Sequence, residues 1–278
     1  MLKQRIITAV VLLAVFLPAL FAPVALPFAV LTVLFVAAAG WEWVRLNGGN
    51  ALPAIGFAVL LGAACALALG DDWIRSASPF TWWLAMGMWV LGGAWSLKAG
   101  PAGWGSLPRS LRWALGLVGL WLAWLAMVDA RAVGVNFILS VFGLVWVSDI
   151  AAYFGGRAFG RRKLALAISP GKSWEGVWSG MLGVLVLAAA WMAIDRRWSL
   201  DSPSLFTHLY LHIGATGGVL VCIFLVAMGV VGDLVESLVK RHAGAKDSSG
   251  LLPGHGGVLD RVDALLPVFP LALAFSAL

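Results

Sequence analysis

Charge is what this chain has least of. Only 12% of its 278 residues are Asp, Glu, Lys or Arg, while 62% are hydrophobic, against about a quarter and about a half in ordinary soluble domains. So apolar a chain is neither a disordered segment nor a nucleic-acid module, and its net charge of +6 implies no nucleic-acid partner. Cysteine is almost missing as well. Cys65 and Cys222 each sit inside a long apolar run, without the spacing of a disulfide framework or a zinc site, and read as buried small hydrophobes. No polar linker long enough to part soluble domains is present, so residues 1–278 read as one membrane domain.

What the chain has instead is apolar text. Stretches near 6–21, 24–41, 53–70, 81–96, 111–128, 133–154, 176–194, 212–235 and 258–278 predict an all-α, polytopic protein with about nine spans. The start has the basic and apolar regions of a signal peptide, but apolar text resumes after Pro23, which favours a retained pair of helices. With the N-terminus in the cytoplasm, 15 of the 19 Lys and Arg fall inside, and only Arg75, Arg131, Arg196 and Arg197 fall outside. The positive-inside rule therefore orients the chain. The tryptophans gather near the predicted span ends, as interfacial anchors do.

Polar text is dense in two cytoplasmic loops only, near 155–175 and 240–262. This divides the chain into N-terminal helices, 1–132, and a half that carries the chemistry, 133–278. In VVGDLVESLVKRH, helical spacing sets Asp233, Glu236, Ser237, Lys240 and Arg241 on one face. The eighth span should thus continue as an amphipathic helix, and a carboxylate at the membrane surface, as Asp233 is, needs a partner or a task. The loop that follows packs five glycines with Lys246, Asp247, His255, Asp260, Arg261 and Asp263. Glycines let backbone amides approach a ligand, and Lys240, Arg241, Lys246 and Arg261 suit phosphate oxygens. The carboxylates beside them would repel phosphate, and a divalent cation reconciles the two sets. Magnesium fits, because it takes one or two carboxylates and completes its shell with water and substrate phosphates. His255 reads equally as a turn histidine bonded to backbone or as a phosphate contact or acid/base group. His208, His212 and His242 receive no role.

The other loop, SDIAAYFGGRAFGRRKLALAISPGKSWEG, begins at the end of the sixth span with Asp149 and Tyr153 one helical turn apart. Arg157, Arg161, Arg162, Lys163 and Lys172 make it basic, which by composition alone suits anionic lipid heads. Ser169 or Ser173 is placed to cap the seventh helix or to touch ligand.

At these residues the chain resembles the bacterial phosphatidate cytidylyltransferases, or CDP-diglyceride synthases. Ser237, Lys240, Arg241, Lys246, Asp247, Pro253, His255, Gly256, Gly257, Asp260, Arg261 and Asp263 stand at the spacing of that family's signature. The loop from Asp149 to SPGKSWEG is similar to it too, except that Gly171 stands where a second lysine is expected. The resemblance covers the second half in detail and the first half only as membrane helices. It implies a multi-pass enzyme of the bacterial inner membrane that transfers a cytidylyl group from CTP to phosphatidate, releasing pyrophosphate. It further implies magnesium dependence and a possible homodimer. On that reading Asp233 and Asp260 hold the metal, with Asp263 a third or outer ligand. Lys240, Arg241 and Lys246 hold the triphosphate. Ser237 and the turn at His255 orient it, and Ser169, Lys172, Asp247 and Arg261 complete the substrate site. Rival readings are an ion-coupled transporter, nucleotidyl transfer to another lipid phosphate, and a non-catalytic scaffold. Charge gathered at one membrane face rather than mid-span speaks against the transporter.

Overall fold

The computed structural model describes residues 2–70 and 78–278; Arg75, expected outside the membrane, is not among them. The chain folds as helices with one small hairpin: α1 (Leu2–Leu20), α2 (Leu26–Leu46), α3 (Ala51–Gly70), α4 (Pro79–Gly87), a π-helical turn (Met88–Gly92), α5 (Gly93–Ser106), α6 (Arg109–Val133) and α7 (Val135–Phe159). Then come β1 (Lys163–Ala165), β2 (Ser169–Ser173), α8 (Trp174–Arg197), α9 (Leu205–His242), α10 (Leu259–Val262) and α11 (Leu265–Ser276).

Among the described residues six helices are long and apolar enough to cross a membrane: α2, α3, α6, α7, α8 and α9. Each of the nine expected apolar stretches is helical, but the count of nine spans is not met on length and composition. The fourth stretch is broken up by the π-helical turn, and the helix that leaves it kinks just beyond, at Gly100 in α5. The ninth yields only α10 and the 12-residue α11, which at 1.5 Å per residue is about 18 Å long, short of the roughly 30 Å hydrocarbon layer. Hydropathy registered the apolarity of 258–278 but not that it is interior packing. Leu265 to Ala274 are all buried, with α4, α6 and α9 against them.

α7 and α8 form the tightest pair, because small residues let the backbones close. A Cβ on Gly155 would stand 1.9 Å from the Ser179 hydroxyl. This pairing fixes the hairpin β1–β2 that joins the end of α7 to the start of α8. The hairpin is antiparallel, with Lys163 opposite Ser173 and Ala165 opposite Ser169. Ser173 then starts α8 by accepting a bond from the Gly176 amide at 3.2 Å, so it, not Ser169, is the helix cap. Within α9 the backbone leaves helical geometry at Gly214 (φ 71°, ψ 178°), a left-handed conformation that favours glycine. Past this kink the helix runs unbroken to His242, carrying its polar stripe out beyond the apolar stretch.

Candidate functional site

The stripe on α9 serves two polar clusters, one helical turn apart. In the first, Asp233 meets Lys172, which β2 projects across from the sixth loop; Lys172 Nζ donates to Asp233 Oδ2 at 2.5 Å. Ser237, four residues along the helix, donates to Asp233 Oδ1 at 3.3 Å. Asp149 in the second half of α7 and Asp263 after α10 lie within electrostatic reach of both Asp233 and Lys172. Three carboxylates thus share one ammonium. Burial and the nearby Asp233 charge push the Asp263 carboxyl well above the usual carboxylate range. The cluster is open to water, the side chains of Lys172 and Asp233 being 27% and 29% exposed.

The second cluster is closed. Lys240 Nζ lies 2.6 Å from Glu236 Oε2 and 2.6 Å from Asp260 Oδ1. Asp260 Oδ2 accepts from the Ser248 amide at 2.9 Å, the Ser248 hydroxyl at 2.7 Å and the Gly257 amide at 2.8 Å. Burial alone would raise the Asp260 carboxyl, but Lys240, Ser248 and the two amides outweigh it and hold it at about 2. Behind this lies Glu42 of α2, with no exposed surface. It accepts from the hydroxyls of Ser248 (3.3 Å) and Ser249 (2.5 Å) and from the amides of Val258 (2.9 Å) and Leu259 (2.7 Å). These two amides open α10, so Glu42 caps it from another part of the chain. Gly257 permits the approach, since a Cβ there would sit 2.0 Å from Ser248 Oγ and 2.3 Å from Glu42 Oε1.

The loop 243–258 is therefore a tied structure. His255 donates its amide to the Leu252 carbonyl at 2.8 Å, and its own carbonyl accepts from Arg261 Nη2 at 2.7 Å. The ring atom Nδ1 of His255 is buried without a hydrogen-bond partner. The backbone of His255 is thus tied into the turn, while its ring makes no bond to backbone through Nδ1.

With that arrangement in view, the comparisons with known proteins are decisive. The cytidylyltransferase family matches residues 3–278. The chain belongs to this family. A phosphatidate cytidylyltransferase of Pseudomonas aeruginosa is 39% identical over 99% of the chain and 96% of its own length. One from Brucella melitensis is 35% identical over 86% of the chain and 73% of its length. A third, from Haemophilus influenzae, is 47% identical over 49% of the chain and 44% of its length. The match reaches across the N-terminal helices, where the motifs alone gave no detail.

The residues singled out for this family fall into distinct places. Asp233, Ser237, Lys172 and Asp263 come together in the open cluster, and Lys240 and Asp260 in the closed one. Arg241 turns aside, donating to the carbonyls of Ile168 (3.2 Å) and Ala245 (3.3 Å), which fastens α9 to the sixth loop. Lys246 and Asp247 are exposed on the loop, and among the described residues neither has an ion-pair partner. Ser169 sits in β2, and Gly171 beside it has open space where a side chain would go. Glu42 escaped the sequence reading, and so did Ser248. The signal for Glu42 was present, for WEWVRL places a carboxylate at the end of an apolar run, as GDLVES does.

As for a divalent cation, among the described residues no three His, Cys, Asp or Glu side chains form a ready cage. Magnesium does not require one. The open cluster has the right donors, all oxygen, and an excess of negative charge. Asp260 has both oxygens already engaged.

Proposed function

We propose that this chain transfers a cytidylyl group from CTP to phosphatidate, giving CDP-diacylglycerol and pyrophosphate. What carries the reading is family membership over the whole chain together with the open cluster at the membrane end of α9. In the reaction a phosphate oxygen of phosphatidate attacks the α-phosphorus of CTP. The bond from that phosphorus to the bridging oxygen breaks, and its electrons leave with pyrophosphate. The nucleophile is already anionic and needs little help from a base; the obstacle is repulsion between two anions.

Residues of this chain address that obstacle at stated atoms. Lys172 Nζ, held by Asp233 and partly exposed, is placed to pass to a phosphate oxygen. Asp233 and Asp263 would hold magnesium, and Asp260 would join them if Lys240 moved from its carboxylates to the triphosphate. When bound, that ion supplies positive charge to the phosphates and to the leaving pyrophosphate. Ser237 orients Asp233, and the exposed Lys246 is free to meet the triphosphate. The basic sixth loop draws anionic substrate toward the site.

The same reading places the chain in a bacterial inner membrane with its N-terminus in the cytoplasm. It has nine membrane-embedded segments once α1, the α4–α5 unit and α11 are added to the six long helices, and it works as a homodimer. Purified protein in detergent with magnesium, CTP and phosphatidate should form cytidylylated lipid and pyrophosphate. The other nucleotides, a polyprenyl phosphate acceptor and a chelator serve as comparisons. No product with any acceptor or metal would overturn the assignment, and product from the polyprenyl phosphate alone would replace the acceptor.

A further inference from the structure

On the side of α9 turned away from the carboxylates is a second polar cavity, of about 280 Å³, where the ends of α2 and α9 meet the start of α6. Arg45, Asn47, Arg109, Arg112 and His242 line it. His242 lies nine residues beyond Asp233, and nine residues at 100° each place it half a turn around the helix. The cavity is therefore no extension of the site described above.

Its charge is not balanced. Among the described residues none of the three arginines has a carboxylate within 4.0 Å. Arg112 is only 8% exposed, and its Nε is buried without a partner. Among the described residues its guanidinium bonds to His242, Nη1 lying 2.7 Å from Nε2. Guanidinium only donates, so that ring nitrogen accepts, and His242 adds no negative charge. The positive-inside rule accounts for arginines on this face but not for a buried one with an idle donor. A buried cation without a counter-ion is costly. The helix C-termini of α2 and α9 offset it with partial charge at most.

Directly adjoining is an apolar cavity lined by Trp43, Met88, Trp95, Trp104 and Leu115. Two indoles join the compartments. Trp43 Nε1 donates to the Arg112 carbonyl at 2.8 Å and Trp104 Nε1 to Asn47 Oδ1 at 2.9 Å, while their rings pack edge to face at 5.8 Å. Trp95, 44% exposed, stands at the rim of the apolar part.

We propose that the Arg45–Arg109–Arg112–His242 cavity is a second phosphate site, separate from catalysis, and that it holds the headgroup of an anionic phospholipid. The guanidinium forks match phosphate oxygens, and basic pockets between membrane helices are suited to such headgroups. The adjoining apolar cavity receives part of an acyl chain, which favours a lipid over free phosphate.

Native mass spectrometry of the full chain in detergent tests this without reference to turnover, so failure of the proposed reaction would leave it standing. Delipidated protein is offered phosphatidylglycerol or phosphatidylcholine, with and without excess inorganic pyrophosphate. The wild type should retain phosphatidylglycerol in preference to phosphatidylcholine. Replacing the two exposed arginines together, Arg45→Gln with Arg109→Gln, should weaken phosphatidylglycerol about tenfold or more, taking about 1 kcal/mol per basic side chain, and leave phosphatidylcholine unchanged. These positions are on the surface, so the variant keeps the fold, and an unaltered melting temperature verifies that. Equal retention of phosphatidylglycerol by both proteins overturns the site. Displacement of the lipid by pyrophosphate overturns the lipid assignment in favour of a soluble phosphate.

Discussion

Two lysine–carboxylate clusters stand one turn apart on the same helix, and they have opposite characters. Around Lys240 the groups are closely tied, although Glu236 Oε1 is buried without a hydrogen-bond partner. Its ammonium lies between Glu236 and Asp260, Asp260 is further held by Ser248 and Gly257, and Glu42 closes the loop from behind. Around Lys172 there is a deficit, with one cation for Asp149, Asp233 and Asp263, and water has access to it. A closely tied buried network fixes a conformation; a partly exposed set with surplus charge is free to exchange partners with a substrate. On the proposed reading the closed cluster shapes the loop, and the open one is the first to meet substrate.

The comparison breaks most easily at Asp233. Asp233→Asn keeps the shape and removes the charge, so cytidylyl transfer should fall by about a hundredfold or more, with membrane insertion and melting temperature unchanged. Near-normal turnover would mean that the open cluster is not the reactive one. The opposite signature is expected at Glu42. Glu42→Ala strands the amides of Val258 and Leu259 in a buried site, a loss of about 2–3 kcal/mol. A thermal melt in detergent should show it, with turnover falling only as far as the loop is displaced. If Glu42→Ala melts normally, the closed cluster is not a clamp.

Much of this arrangement was legible in the sequence. The stripe from Asp233 to Lys240 follows from helical period, and the family pattern from the residues themselves. The partition between the two clusters was not. Asp233 and Asp260 are the same residue type in similar text, and only the neighbours brought by the fold make one open and the other saturated. Glu42 lies more than two hundred residues from the amides it caps, so no local pattern couples them, although its position at the end of an apolar run marked it. That only six of the nine expected spans are long enough to cross a membrane has a related reason. Hydropathy measures how apolar a stretch is, and α11 is apolar because it is enclosed by other helices, not because it is long.

A smaller effect sharpens the contrast from the other side. Lys172→Met removes the single cation of the open cluster. If Lys172 passes from Asp233 to a phosphate oxygen, turnover at saturating phosphatidate should fall about tenfold, by loss of a charge-assisted bond. The melt should hardly move, since a pair this exposed contributes little to stability. A large drop in melting temperature instead would make this pair a structural tie like that of Lys240.

The smallest change is expected at Ser173, which lies beside Lys172 but belongs to the framework. Its hydroxyl caps α8 through the Gly176 amide, and the side chain is almost wholly buried at 6% exposure. Ser173→Ala should cost about 1 kcal/mol, read as a modest fall in melting temperature with catalytic constants near normal. Ser173→Asp, which retains a capping oxygen, tests the cause, because it should recover stability only if the cap is what was lost. Should Ser173→Ala instead lower turnover while the melt stays fixed, the sixth-loop hairpin would be touching substrate through its serine as well as its lysine. The reactive region would then extend along β2 rather than ending at the Lys172 ammonium.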